Sequence, residues 1–181
     1  DKSTGPQSAL DALHNAGIKV VQTPEAWTLA DIPIKVSAIA EAIGVSQTGA
    51  QLASELVTPK TTTMAKHGVR IAFLYIRGGS AIYLIGGKGS GADSLISAIG
   101  AVDVGAEKLS NPFTALTSEE MVTINPDVIL VMTKGLQSVG GVSGLVALPG
   151  VAQTEAGKNR RVIAVDDSLL RSEEHTSELQ S

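Results

Sequence analysis

The feature that most constrains the fold is an alternation of strand-like and helix-like runs that begins after Gly68. "VRIAFLYIRGG" and "SAIYLIGG" are β-branched and aromatic runs of strand length bounded by glycine. "GADSLISAIGAV" carries apolar residues at helical spacing, "TSEEMVTINP" predicts a short helix, and "GVSGLVALPG" followed by "VAQTEAGKN" predicts helix and turn. "DVILVMT" is continuously apolar, as a strand covered on both faces requires, and "RRVIAVDD" predicts one strand more. Repeated strand and helix units need a parallel or mixed sheet with helices over it, which makes the class α/β. Val162 to Asp166 calls for further covering elements, so the expectation is of a lobe that is cut short.

Upstream of Gly68 the texture differs. "SALDALHNAG" has Ala9, Leu10 and Leu13 on one helical face and a Gly17 stop, and "IKVVQT" predicts a short strand. "TLADIPIKVSAIAEAIGV" predicts a helix capped by Thr28 and ended by Gly44, with Pro33 tolerable in its first turn. "SQTGAQLASELVTPKTTTMAKHG" continues with Leu52, Leu56 and Val57 along a helical face that Pro59 kinks, so 45–67 reads as a long connector. At the other end, "RSEEHTSELQS" follows an apolar strand with an abrupt change to aperiodic polar residues and resembles the translation of a sequencing-library adapter. Residues 171–181, His175 among them, are read as a non-native tail.

Composition narrows the function classes. A net charge of −4 with 14 basic residues spread along the chain without a cluster provides no surface to neutralise phosphates, which excludes nucleic-acid binding. The absence of cysteine excludes disulfides, thiolate metal sites and a cysteine nucleophile. A hydrophobic content of 43% argues for a packed chain, and no apolar run is long enough to span a bilayer.

The candidate site residues gather in "FLYIRGGSAIYLIGGKGSG". Residues two apart on a strand share a face, so Phe73, Tyr75 and Arg77 project together. As residues alone they fit either a half-buried strand aromatic beside a surface charge, or a phenol whose ionisation the guanidinium assists. In "GGKGSGAD", Gly87, Gly89 and Ala92 satisfy a G-x-G-x-x-A dinucleotide pattern, with Glu107 at the distance of a ribose contact. Against that reading, "GAVDVGAEKLSNP" is broken by glycine where a second apolar strand belongs. Gly89 after Lys88 also rules out a Walker loop. A tight strand-to-helix turn is the other reading.

His14 and His67 stand at no metal-site spacing and read as polar helix residues. Trp27 reads as a packing residue or an interlobe contact, and Met64, Met121 and Met132 as core filler or contacts to a ligand. Glu119 and Glu120 suit the positive end of a helix. Tyr83 shares its strand with Ile85. There is no paired base and nucleophile, and the chain is read as a binding protein, not an enzyme.

"FLYIRGGSAIYLIGGKGSGADSLISAIGAVDV", "NPFTALTSEEMVTINPDVILVMTKGL" and "LPGVAQTEAGKNRRVIAVDD" resemble the C-terminal lobe of haem-binding ABC-transporter substrate-binding proteins. "GPQSALDALHNAGIKVV" and "TLADIPIKVSAIAEAIGV" are similar to the end of the N-terminal lobe and the start of the joining helix. The resemblance implies a two-lobed, class III periplasmic-binding-protein-like fold. Residues 1–44 would end the N-terminal lobe, 45–67 form the interlobe helix and 68–170 the truncated ligand-binding lobe.

It also implies haem b as the transported ligand, held in the interlobe cleft. Tyr75 would be an axial iron ligand, and Arg77 would stabilise the tyrosinate or clamp a propionate. Gly87 and Gly89 would let the backbone approach the ligand, Lys88 would meet a propionate, and Tyr83 would be a pocket aromatic. The second axial histidine would lie upstream of Asp1. Glu120, with Glu119 beside it, would dock on arginines of a membrane permease. The protein would be a monomeric, extracytoplasmic carrier, periplasmic or a cell-surface lipoprotein. The alternatives are an iron-siderophore or cobalamin carrier of the same superfamily, and a dinucleotide-dependent oxidoreductase built on the glycine turn.

Overall fold

The computed structural model describes residues 6–56, 68–76 and 83–167. The described residues form two compact units, 6–56 in the first and 68–76 with 83–167 in the second.

The described part of the first unit is helical: α1 (Gln7–Asn15), α2 (Asp31–Ala42) and α3 (Ser46–Glu55). Gly17 ends α1 and Gly44 ends α2 with positive φ, at +74° and +79°. After each, the next amide reaches back to the last turn, Ile18 N–H to the Leu13 carbonyl and Val45 N–H to the Ala40 carbonyl. The tight bend at Gly44 brings α3 back onto α2, where Gly49 meets buried Ala40. A Cβ on Gly49 would stand 2.1 Å from the Ala40 Cβ.

Two sequence expectations fail in this unit. "IKVVQT" forms no strand. Thr28 does not cap α2: the helix begins at Asp31, whose carboxylate accepts from the Thr28 N–H and hydroxyl and from the Trp27 N–H. The threonine is thus a donor to the first turn, and no side chain caps α2. The long connector is described only as α3; residues 57–67, with Pro59, Met64 and His67, lie outside the described residues.

The second unit is a mixed sheet covered by helices. Its elements are β1 (Arg70–Ile76), β2 (Tyr83–Gly86), α4 (Ala92–Ala98), β3 (Val102–Asp103), α5 (Val104–Lys108) and β4 (Phe113–Ala115). They continue with α6 (Ser118–Ile124), β5 (Val128–Met132), α7 (Thr133–Ser138), α8 (Gly141–Val146), α9 (Glu155–Lys158) and β6 (Val162–Val165). The strand order is β4-β2-β1-β5-β6, with β3 beside the start of β1. β1, β5 and β6 run parallel, whereas β2 runs antiparallel to β1 and to β4.

Central β1 is buried from Ile71 to Ile76, which explains its unbroken apolar run. Ala72, Leu74 and Ile76 join Ile129, Val131, Tyr83 and Ile85 on one face, under Val104 of α5, Met121 of α6 and Leu145 of α8. Ile71, Phe73 and Tyr75 join Leu130 and Met132 on the other, under Ala92 and Ile96 of α4.

α5 sits directly on the end of β2. A Cβ on Gly105 would lie 1.8 Å from the Gly86 carbonyl oxygen, so only glycine admits this contact. Met121 and Met132 are both buried in the core, which fits the core-filler reading of the two. The short helix at "TSEEMV" also forms, closed by a reciprocal capping box between Thr117 and Glu120. Among the described residues no helix is long and apolar enough to cross a membrane.

Candidate functional site

Tyr75 lies near the end of β1 on the face it shares with Phe73, as the period of two requires, and is 4% exposed. Both rings meet Phe113 of β4. The Phe113 and Tyr75 centroids are 5.6 Å apart with planes at 59°, and the Phe113 and Phe73 centroids are 6.2 Å apart at 63°. These are tilted and edge-on arrangements of the kind aromatic pairs favour. Arg77, the other half of the predicted pair, lies outside the described residues.

Tyr83 does not join this cluster. Its cross-strand partner is Ile76, so it falls on the opposite face of the sheet, and its hydroxyl donates to the Pro149 carbonyl at 2.7 Å. Burial raises the Tyr83 pKa further. It is a buried phenol anchored to a loop carbonyl on the sheet face opposite Tyr75.

The glycine turn follows β2. Its amides are committed to the protein: Gly87 N–H donates to the Pro112 carbonyl at 2.8 Å and Lys88 N–H to the Leu109 carbonyl at 3.1 Å. Gly89 N–H donates to an Asp93 carboxylate oxygen at 2.9 Å. A Cβ at Gly87 would stand 2.3 Å from the Asn111 carbonyl oxygen, and Gly89 has φ +85°. The glycines therefore serve close approach and a left-handed bend.

A phosphate cradle needs those N–H groups pointing outward, so the dinucleotide reading has no support here. Glu107, its proposed ribose contact, faces Arg70 at 3.5 Å, and the strand before the turn is antiparallel to its neighbour, not part of a β-α-β unit. Lys88 is exposed at the tip of this turn.

Behind the turn lie buried polar groups. Asp103 caps α5, one oxygen accepting from the Gly105 and Ala106 N–H groups at 2.9 and 3.0 Å. Burial raises its pKa against those hydrogen bonds, and the nearby Asp93 and Glu107 charges add to the rise.

On the α6 rim, the Glu120 carboxylate accepts from the Thr117 N–H at 2.8 Å and the Thr117 hydroxyl at 3.0 Å, which lower its pKa. Glu119, also exposed, stands beside it in the first turn of α6. His14 is exposed on α1, and no group of three His, Cys, Asp or Glu is placed to hold a metal ion among the described residues.

The sequence reading missed Phe113 and the segment Leu109–Pro112 that grips the turn. The available signal was scarcity, since the chain has only two phenylalanines, two tyrosines and one tryptophan, and three of the five meet here.

The chain belongs to the periplasmic binding proteins, whose family model matches residues 2–169. Among individual proteins, it is 25% identical over 168 residues to the uncharacterized ABC transporter substrate-binding lipoprotein YvrC of Bacillus subtilis (strain 168). That match covers 90% of this chain and 51% of YvrC, so the chain spans about half the length of this curated relative. Its fold is similar to that of the periplasmic haem-binding protein RhuT from Roseiflexus sp. RS-1 in apo form, with TM-score 0.85 and 32% identity over 97% of this chain and 70% of that one. The haem-binding protein HmuT gives a TM-score of 0.81 and 32% identity over 91% of this chain and 56% of that one. HmuT structures include a tyrosine-to-alanine and an arginine-to-alanine variant, substituted two positions apart.

Proposed function

We propose that the chain is part of the substrate-binding component of an ABC importer whose cargo is haem b, captured with Tyr75 as an axial ligand and delivered to a membrane permease. The observation that carries this reading is the sequence pair Tyr75 and Arg77, two residues apart, with Tyr75 near the end of β1 in a fold similar to RhuT and HmuT. Its spacing is that of the tyrosine and arginine altered in HmuT.

A phenol ionises with difficulty near neutral pH, and a guanidinium beside it favours the anion that binds ferric iron. Arg77 has that role, or clamps a propionate. Tyr75 is buried in the chain as it stands, so capture uncovers its oxygen. Exposed Lys88 then meets a propionate at the tip of the turn whose shape Gly87 and Gly89 allow. Binding and release involve no bond-making beyond iron ligation, in keeping with a carrier. The histidine altered in another HmuT variant lies farther ahead of that protein's tyrosine than this chain extends ahead of Tyr75. The second axial ligand is accordingly not assigned to His14.

On this reading the protein works outside the cytoplasm, and the relation to a lipoprotein supports a lipid anchor. Glu119 and Glu120 are the rim carboxylates for permease arginines. Glu120 is held in its capping box, which makes Glu119 the more available of the two.

A hemin titration followed by absorption, with Tyr75→Phe in parallel, tests the proposal. A saturable spectrum that changes in the variant is expected. No binding, or binding indifferent to Tyr75, would favour an iron-siderophore or cobalamin cargo instead.

A further inference from the structure

We propose that Phe113 is the positioning residue for Tyr75: its ring fixes the orientation of the phenol and ties it to the turn that carries Lys88. This inference rests on the haem reading above. An axial ligand acts well only when its oxygen is already directed at the iron, and a tyrosine ring is free to swing about two side-chain bonds unless neighbours hold it.

Tyr75 is held by Phe113 at 5.6 Å, and Phe113 is braced in turn by Phe73 at 6.2 Å. Phe73 has room to brace it because Gly86 lacks a side chain; a Cβ there would come 2.6 Å from the Phe73 ring. Phe73 is 1% exposed and Tyr75 4%, whereas Phe113 is half-buried on β4, an edge strand of three residues. Phe113 is thus the outermost ring of the cluster.

The backbone leading into Phe113 also accepts the hydrogen bonds that shape the glycine turn, at Leu109 and Pro112, and Phe113 pairs with Gly86 in the sheet. One continuous segment therefore grips the turn and packs on the phenol. A displacement of Phe113 moves the iron ligand and the propionate contact relative to each other.

The test is hemin titration of the full chain as wild type, Phe113→Leu, Phe113→Trp and Tyr75→Phe, read by absorption across pH, with circular dichroism to verify folding. Leucine keeps bulk and loses the ring. Phe113→Leu is expected to weaken hemin binding about fivefold. It should also raise by about one unit the pH at which the tyrosinate-to-iron band appears, because a less well directed oxygen competes less well with its proton. Phe113→Trp, which restores an aromatic ring, is expected to recover both readouts to within about twofold. Unchanged affinity and band midpoint in Phe113→Leu, with both altered in Tyr75→Phe, would overturn the positioning role and leave the haem reading standing. Hemin binding that is absent, or the same in Tyr75→Phe as in wild type, would overturn the haem reading and this inference together.

Discussion

At Asp103 a carboxyl group is 5% exposed, and its role as a helix cap needs only an acceptor oxygen. Because burial raises its pKa, the folded chain holds the proton more tightly than the unfolded chain does. The contribution of this group to stability is therefore fully present below the unfolded value, near 3.9, and is lost as pH rises through the raised folded value. Asparagine keeps the capping oxygen without the charge. Asp103→Asn is expected to raise the melting temperature at pH 7 by about 2–6 °C, with the gain shrinking towards zero at pH 3.5. A gain equal at both pH values would show that the charge is not its source.

Lys88→Ala tests the other charged group at the turn. It is expected to weaken hemin binding about two- to fivefold at low salt, a difference that 1 M salt abolishes because the ammonium is exposed. At this scale the shared face of Phe73 and Tyr75 was legible, since strand periodicity fixes it. The face of Tyr83 was not, because parity across a hairpin depends on how the strands pair. The closeness of Phe113 was hidden as well, since it arises from a strand pairing between distant residues.

Helices and turns were legible where the local chemistry is self-contained. "TSEE" carries its own capping box, and Gly17 and Gly44 stop their helices, because each of these devices acts within a few residues. "IKVVQT" failed for the opposite reason: a β-branched run becomes a strand only when another strand pairs with it.

Two substitutions test what the elements need. Gly105→Ala is expected to destabilise the chain by about 1–3 kcal/mol, because its Cβ meets backbone at Gly86 that cannot rotate away. Thr117→Ala should cost about 1 kcal/mol by removing the cap of α6. Both are readable from urea denaturation.

Glu120→Gln separates structure from docking on the same helix. The folded pKa of Glu120 is lowered, so its contribution is present above the unfolded value and lost as pH falls through the folded one. The substitution is expected to lower stability at pH 7 and to have no effect below about pH 3. Glu119→Gln is expected to leave the melt unchanged and to weaken association with permease in detergent.

For the whole molecule, burial is concentrated in the second unit. β1 and β5 carry fully buried side chains, whereas α1 has no buried residue and Ile43 beyond α2 is 69% exposed. Amide hydrogen exchange is expected to run at least ~100-fold slower in β1 and β5 than in α1, and equal rates would contradict the burial pattern. The α/β class was legible from the strand and helix alternation, but the strand order was not, because it places β1 beside a strand made much later in the chain.

That order has a consequence for synthesis. One edge of β1 is paired by the nearby β2, but its other edge waits for β5, 57 residues away where the Arg70 amide meets Asp127. At about 5–20 residues per second, a nascent chain shows that edge to its surroundings for roughly 3–11 s. For this interval the most apolar ribbon of the protein is an open template for its neighbours on the same messenger. The yield of folded protein should thus depend on how quickly the ribosome crosses the stretch between β1 and β5.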